Sequence, residues 1–546
     1  MKQFYFLSFL FCVITSHIFS QVKVFTKEDT LLGSNSVYRS WWDVQHYTIS
    51  VKPDYLTKSI SGSATIRYQT LSNSLPFIMQ LDLQEPLMVD SIFFDNQFTN
   101  YQKEKNRYML VLPKQQIQSK HDVQVFYHGK PKVAVNPPWD GGWVWKKDSL
   151  GNPWMSVACQ GDGSSVWFPC KDLQSDEPDM GAILTMLVPD TLVAIGNGRL
   201  IDKQVIGQHI TSYKWQVTNP INSYDIIPYI GKYTEIKDSV LGEKGILHTN
   251  YWVLSYHVAK AKQHLKPNVI KTISCLEHWF GPYPFYEDSY KIVEAPYLGM
   301  EHQSNVAYGN FYLNGYLGRD LSNSGWGLKW DFIVVHETAH EWFGNSVTAT
   351  DVADNWIHEG FASYAEVLFT ECEYGKEAGN DYCEGVKKSI DNDIPVIGNY
   401  AVKNEGSGDM YNKGSNIIHM IRQIINNDNH FRNLLRDISK TFYHQTITTK
   451  EFEAFISLKT GKNLAVFFDQ YLRTTQIPTL EYKLNGNALE YRYTNCIKGF
   501  EMPITIKADE EYTISPTMLW QTLTLNKPVK LISLNRNVYL NLTHKK

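Results

Sequence analysis

The sequence predicts a multidomain α+β protein with a large β domain first, a mostly helical middle and a small β domain last. Three observations carry this prediction. At 546 residues the chain exceeds what one hydrophobic core serves, so about two to four domains are expected. Between Val37 and Tyr233 short runs alternate between apolar and polar residues, whereas from about Tyr256 to Thr475 apolar residues recur at helical spacing. Beyond Pro478 the alternation returns.

Residues 1–20 read as a secretion signal. Lys2 supplies the positive start, Phe4 to Phe19 is mostly apolar, and Ser20 before Gln21 offers a small residue for cleavage. Export to the periplasm or outside the cell is the expectation. No later run is long and apolar enough to span a bilayer, so no integral membrane segment is expected after cleavage.

Residues 21–240 form the β domain. His46 to Val51 and Ser63 to Gln69 are its clear strands, separated by turn clusters rich in Gly, Pro, Asn and Asp. Residues 136–143, with two prolines, two glycines and two tryptophans, read as a loop. Residues 241–477 form the helical domain, which opens with Val258, Ala261, Leu265, Val269 and Ile273 on one face. Residues 478–546 form the last β domain, with Leu489 to Tyr493 as its plainest strand.

A net charge of −4 with no basic stripe gives no footprint for a polyanion, so nucleic acid is excluded as a partner. With Cys12 in the signal, six cysteines remain. Their spacings match no metal knuckle, and the near pairs Cys159/Cys170 and Cys372/Cys383 are the candidates for a bridge.

The strongest motif is His336-Glu337-Thr338-Ala339-His340, preceded by the apolar run Trp330 to Val335. Residues four apart share a helix face, so both imidazoles can address one metal ion. Glu337 then stands beside the first ligand, where its carboxylate can reach a water on the metal. Gly344 is the expected helix stop, and the polar stretch 345–354 turns the chain back. A second helix carries Trp356 to Glu366, and Glu359, with eighteen residues between it and His340, sits at the distance from which an antiparallel helix returns a third ligand. Three protein ligands with one open position make a catalytic site for one zinc ion per chain. Zinc lowers the pKa of a water there to about 7, and Glu337 is placed to take its proton. Glu366, seven residues after Glu359, is either a partner that orients a ligand histidine or a solvated acid. His358 points elsewhere on the helix and reads as structural.

Together with Gly299-Met300-Glu301-His302, this motif resembles the gluzincin aminopeptidases, the family of aminopeptidase N and leukotriene hydrolase. The family tetrapeptide normally ends in Asn where His302 stands, and Glu301-His302-Gln303 resembles bacterial variants. The resemblance implies that Glu301 holds the substrate's α-amine and that Gly299 and Met300 lie along the substrate like an added strand. Tyr411-Asn412-Lys413-Gly414 is similar to the family's Tyr-x-Lys-Gly, which implies an oxyanion-binding role for Tyr411. Ala158-Cys159-Gln160 resembles the segment of the β domain that reaches into the site, which implies that Gln160 also touches the amine. The implied fold is a β saddle, a thermolysin-like catalytic domain and a small β sandwich. Fewer than about seventy residues follow Pro478, so the helical superhelix of longer members is not expected.

The implied function is a zinc aminopeptidase acting on peptides with a free N-terminus. Its rivals are a thermolysin-type endopeptidase, for which Glu301 and Gln160 would have no use, an epoxide hydrolase on a related scaffold, and a non-catalytic peptide binder.

Overall fold

The computed structural model describes residues 24–73 and 77–545. The secretion signal predicted over residues 1–20 lies outside them. Among the described residues no helix is long and apolar enough to cross a membrane.

The N-terminal β region is built on an eight-stranded sheet. Its central strand, Trp42–Asp54, pairs antiparallel with Ser59–Thr70 and parallel with Ala182–Pro189. Side chains along Trp42–Asp54 alternate between buried and accessible, the pattern of a sheet with one face on a core. Trp42, Tyr47, Tyr68, Trp143 and Trp167 fill that core. A second, four-stranded sheet ends on the hairpin of Gly142–Lys147 and Pro153–Ala158. The predicted loop at 136–143 is therefore a loop only as far as Gly141. Gln160 lies just past the end of Pro153–Ala158 and so leaves the sheet toward the catalytic region.

The middle of the chain is mostly helical, as expected. Besides its helices it holds a five-stranded sheet, ordered Tyr233–Gly242, Gly245–Leu254, Tyr290–Glu294, Val306–Tyr308, Gly299–Met300. The boundary placed at 240/241 falls inside the first of these strands. Alternate residues of this sheet enter different cores. Tyr251, Val253, Tyr290, Ile292, Val306 and Tyr308 pack with the helices, and Trp252, Leu254, Val293 and Ala307 pack with the β region. The sheet is thus buried on both faces, which makes its strands read as plain apolar runs. Helices Val258–Phe280 and Phe332–Ala339 lie against the sheet, Trp356–Tyr374 packs behind them, and Asn412–Ile425 packs on that helix.

Cys275 of the first of these helices is bonded to Cys372 of the third. Neither sequence-adjacent pair is bridged: Cys159, Cys170 and Cys383 are buried thiols, and Cys496 is a half-buried one. Burial beside neighbouring carboxylates holds the Cys159 and Cys170 thiols far above their ordinary pKa, so they stay protonated. The C-terminal region has a four-stranded sheet with Thr479–Asn485 and Ala488–Thr494 at its centre, and a three-stranded sheet beside it. Its buried side chains join the core of the helical region.

Candidate metal centre and active site

The helix Phe332–Ala339 begins where a buried carboxylate can cap it. Asp331 accepts from the backbone N–H groups of Ile333 and Val334, and also from the Tyr308 hydroxyl, His264 and Asn310. All eight helical residues are buried, so the helix is an internal strut with no solvated face. It ends at Ala339, earlier than the stop predicted at Gly344. Gly344, at φ +133°, instead turns the chain toward Val347. A Cβ there would sit 3.1 Å from His340 Nδ1, so its lack of a side chain leaves room for that ring. The return passes through the short strand Val347–Ala349 and reaches the helix Trp356–Tyr374, which carries Glu359 and Glu366.

Three atoms converge between the two helices. His336 Nε2 and His340 Nε2 are 3.3 Å apart, and each lies 3.4 Å from Glu359 Oε2. Ligands at 2.0–2.1 Å from a tetrahedral zinc are separated by about 3.3 Å, so this triangle has the dimensions of one face of a zinc coordination sphere. Glu359 Oε2 is fully buried yet receives no hydrogen bond, an orphan that a cation would satisfy. The remaining ring nitrogens set the tautomers. His336 Nδ1 donates to Glu366 Oε1 at 2.8 Å, and His340 Nδ1 donates to the Phe343 carbonyl at 2.9 Å. Both Nε2 lone pairs are thereby aimed at the metal position. The other Glu366 oxygen accepts from Tyr382 at 2.7 Å. His358, at the back of the helix, accepts from the Ala349 N–H.

Glu337 is buried but takes no place in the triangle. Burial, followed by the neighbouring carboxylates Glu301 and Glu359, raises its pKa to about 7 against the pull of the two histidines. Its carboxylate rests on the backbone of Gly299, where an added Cβ would fall 2.5 Å from Oε1. Gly299 is thus required by close approach. Gly299–Met300 is the edge strand of the five-stranded sheet, and both residues line the same cavity as the triangle. Glu301 follows at the strand's end. Its Oε1 accepts from Gln160 at 2.6 Å and from the Tyr224 hydroxyl at 3.1 Å. Burial, and after it Glu359, holds its pKa above the ordinary carboxylate value, while His340 pulls it down. His302 turns away into the β region, where burial keeps it neutral beside the Tyr229 hydroxyl.

Two polar side chains just past the zinc motif tie this anchor loop down. Asn345 donates to the Glu301 carbonyl at 2.7 Å, and Glu341 accepts from the Ser304 N–H at 2.8 Å. Tyr411 stands at the start of the helix Asn412–Ile425 with its ring 6.0 Å from that of His336. Burial and the surrounding carboxylates Glu359, Glu405 and Glu301 keep its hydroxyl protonated far above the usual range. The glycine of the same motif explains the placement. A Cβ on Gly414 would lie 2.9 Å from the Cα of Gly360, so the two helices touch backbone to backbone one residue from Glu359. Lys413 points outward to Asn392 and the Thr474 carbonyl.

The structure therefore brings Gln160, Gly299, Met300, Glu301, His336, Glu337, His340, Glu359 and Tyr411 to one cavity of ≈ 720 Å³. Sequence reasoning missed Asp331, Asn345, Glu341, Tyr224, Tyr382 and Glu405. Only Asp331, an Asp just before an apolar helix, carried a local signal.

Residues 267–471 match the peptidase family M1 domain. Aminopeptidase M1-B of Oryza sativa subsp. japonica is 26% identical over 339 residues, which cover 59% of this chain and 37% of that protein. Probable aminopeptidase 1 of Saccharolobus solfataricus is 24% identical over 66% of this chain and 48% of its own length. Leukotriene A-4 hydrolase of Xenopus laevis is 24% identical over 58% of this chain and 51% of its own. The chain thus spans about half or less of the length of these curated relatives. Among solved structures, an M1 zinc metallopeptidase from Deinococcus radiodurans, in a mutant bound to a Tyr-Ser-Ala substrate, shares the fold with a TM-score of 0.68. It is 20% identical and covers 82% of this chain and 97% of its own. Residues 267–471 thus match a peptidase family M1 domain, and the rest of the likeness, to M1 aminopeptidases in sequence and to an M1 zinc metallopeptidase in fold, points the same way.

Proposed function

We propose that the chain is a zinc-dependent aminopeptidase that hydrolyses the first peptide bond of substrates with a free N-terminus. The observation that carries this reading is the shared cavity. The His336–His340–Glu359 triangle, the Glu337 carboxyl and the Glu301–Gln160 pair all line one space. The names of the curated relatives support it. When one zinc ion occupies the triangle, it supplies a Lewis acid and a water that is acidic at neutral pH. Glu337 takes the proton from the attacking water and hands it to the leaving amine. Tyr411 donates its hydroxyl to the developing oxyanion. Glu301 accepts from the α-ammonium, and Gln160 and Tyr224 hold that carboxylate in place. The edge strand Gly299–Met300 offers its backbone to an extended substrate.

The buried Glu301 carboxylate would be a charge without a partner in a mid-chain cut, which disfavours the endopeptidase. Nothing in the site calls for an epoxide substrate. The N-terminal stretch supports export as part of the same reading. Digestion of a decapeptide followed by mass spectrometry tests the proposal. A ladder shortened one residue at a time from the N-terminus, abolished by a chelator and by N-acetylation, is expected. Internal fragments appearing first, or equal cleavage of the acetylated peptide, would overturn it.

A further inference from the structure

Among the described residues, five carboxylates line the catalytic cavity, Glu301, Glu337, Glu359, Glu366 and Glu405, and no Lys or Arg does. Four have partners or tasks in the reading above. Glu359 completes the metal triangle, Glu366 has both oxygens taken by His336 and Tyr382, Glu337 stands beside the metal position, and Glu301 meets the amine. Glu405 is the surplus.

Its surroundings hold it ready for a cation. Glu405 Oε1 accepts from Asn355 Nδ2 at 3.0 Å, and Asn355 Oδ1 accepts in turn from Gln174 Nε2 at 3.0 Å. Gln174 is anchored on the Ala349 carbonyl at 2.8 Å. This relay fixes the carboxylate's orientation, and among the described residues its second oxygen has no donor. No ion pair to Glu405 forms among the described residues. The cation nearest in sequence, Lys403, is turned to Asp172 at 3.3 Å, and Lys413 points to Asn392. The charges that bear on Glu405 are Glu359 and Glu301, both of the same sign, and with burial they raise its pKa. Zinc at the triangle would offset Glu359 and the α-ammonium would offset Glu301, so what marks Glu405 is its geometry, an oriented carboxylate in the cavity wall with one oxygen left to accept.

The α-ammonium already has Glu301 and Gln160, so the cation that Glu405 awaits comes from elsewhere in the substrate. The walls of the same cavity include Leu298, Tyr316, Leu321, Val386 and Met410, apolar surface on which a methylene stem can lie while its charged head reaches a carboxylate. We propose that Glu405 makes this site selective for peptides that carry lysine or arginine on one of the two residues flanking the scissile bond. The proposal rests on the aminopeptidase reading and names its substrate class.

The test uses two peptide series, X-Ala-Ala and Ala-X-Ala, with X either lysine or its neutral near-isostere norleucine. The quantity read is the lysine-to-norleucine ratio of kcat/KM within each enzyme, so a general loss of activity cancels. In at least one series the wild-type ratio should favour lysine, and Glu405→Gln should lower it by about 10- to 100-fold, the scale of a charge-assisted hydrogen bond. Glu405→Asp, which keeps the charge on a shorter arm, should fall between. A wild-type ratio near one in both series overturns the proposal. So does a Glu405→Gln enzyme that slows on both peptides alike, since that would make Glu405 a further holder of the α-amine or a structural group. Failure of the underlying reading looks different: the wild type would release no N-terminal residue from any of the four peptides, and the proposal would fall with it.

Discussion

Replacing Glu366 by glutamine should weaken zinc binding without touching a ligand. The carboxylate receives two donors, His336 Nδ1 on Oε1 at 2.8 Å and the Tyr382 hydroxyl on Oε2 at 2.7 Å, and it is buried. An amide of the same shape has only one acceptor oxygen. One donor must therefore face an NH2 group, and an unsatisfied buried donor costs about 1–3 kcal/mol. If the imidazole is the loser, its ring is freed to rotate, and loss of such a partner typically costs about 10- to 100-fold in metal affinity. That is about 1.4–2.7 kcal/mol, the same range reached from the hydrogen-bond side. Competition titration against a chromogenic chelator measures it. The double variant Glu366→Gln/Tyr382→Phe gives the sharper readout. With the competing hydroxyl gone, the amide oxygen is free to accept from His336, so the double variant should bind zinc more tightly than Glu366→Gln alone. Wild-type affinity in the single variant, or additive losses in the double one, would refute this account of how the ring is oriented.

Glu337→Ala should abolish hydrolysis while zinc stays bound, whereas His336→Ala and Glu359→Ala should lose both, and metal analysis of the purified variants separates the two outcomes. Tyr411→Phe should lower kcat by roughly 10²–10³ with little change in KM, the cost of one oxyanion donor, and wild-type turnover would remove that role. Gly414→Ala puts a Cβ 2.9 Å from the Gly360 Cα, so the helix bearing Tyr411 must shift; a loss of about 1–3 kcal/mol in denaturant unfolding, together with reduced kcat, is expected. KM for free-amine peptides should rise as pH passes about 7.7–8.0, because the protonated amine that Glu301 accepts from is lost on the alkaline side; a flat KM through that interval would count against the anchor.

The proposed ligands and base were legible as a cluster because helix geometry ties them to sequence spacing. His336 and His340 are one turn apart, Glu337 is adjacent, and Glu359 and Glu366 are two turns apart on the returning helix. The outer β regions were legible for a similar reason, since one solvated face leaves its period in strands such as Trp42–Asp54. The five-stranded sheet lacked that signal. Ile292 faces the helices and Val293 the β region, so both neighbours are apolar and no period of two appears. The disulfide was hidden for a related reason. Cys275 and Cys372 are 97 residues apart, and only the packing of two helices brings their Cα atoms to 6.1 Å.

The spacing of the reactive groups is set by contacts that a sequence does not display. Gly299 touches Glu337, Gly344 leaves room for the His340 ring, and Gly414 meets Gly360. At each of these places a missing side chain lets backbone reach a catalytic or ligand element. Asn345 and Glu341 then fasten the loop bearing Glu301 to the segment that follows His340. The distance from amine anchor to metal position thus spans two hydrogen bonds and a glycine contact rather than a flexible loop. That rigidity fits the proposed aminopeptidase, which would have to measure one residue from a chain end, because a tolerance of even 1 Å in the register would cost much of the rate. Positions such as Gly299 and Asn345, which do no chemistry, are accordingly as constrained as the residues that do.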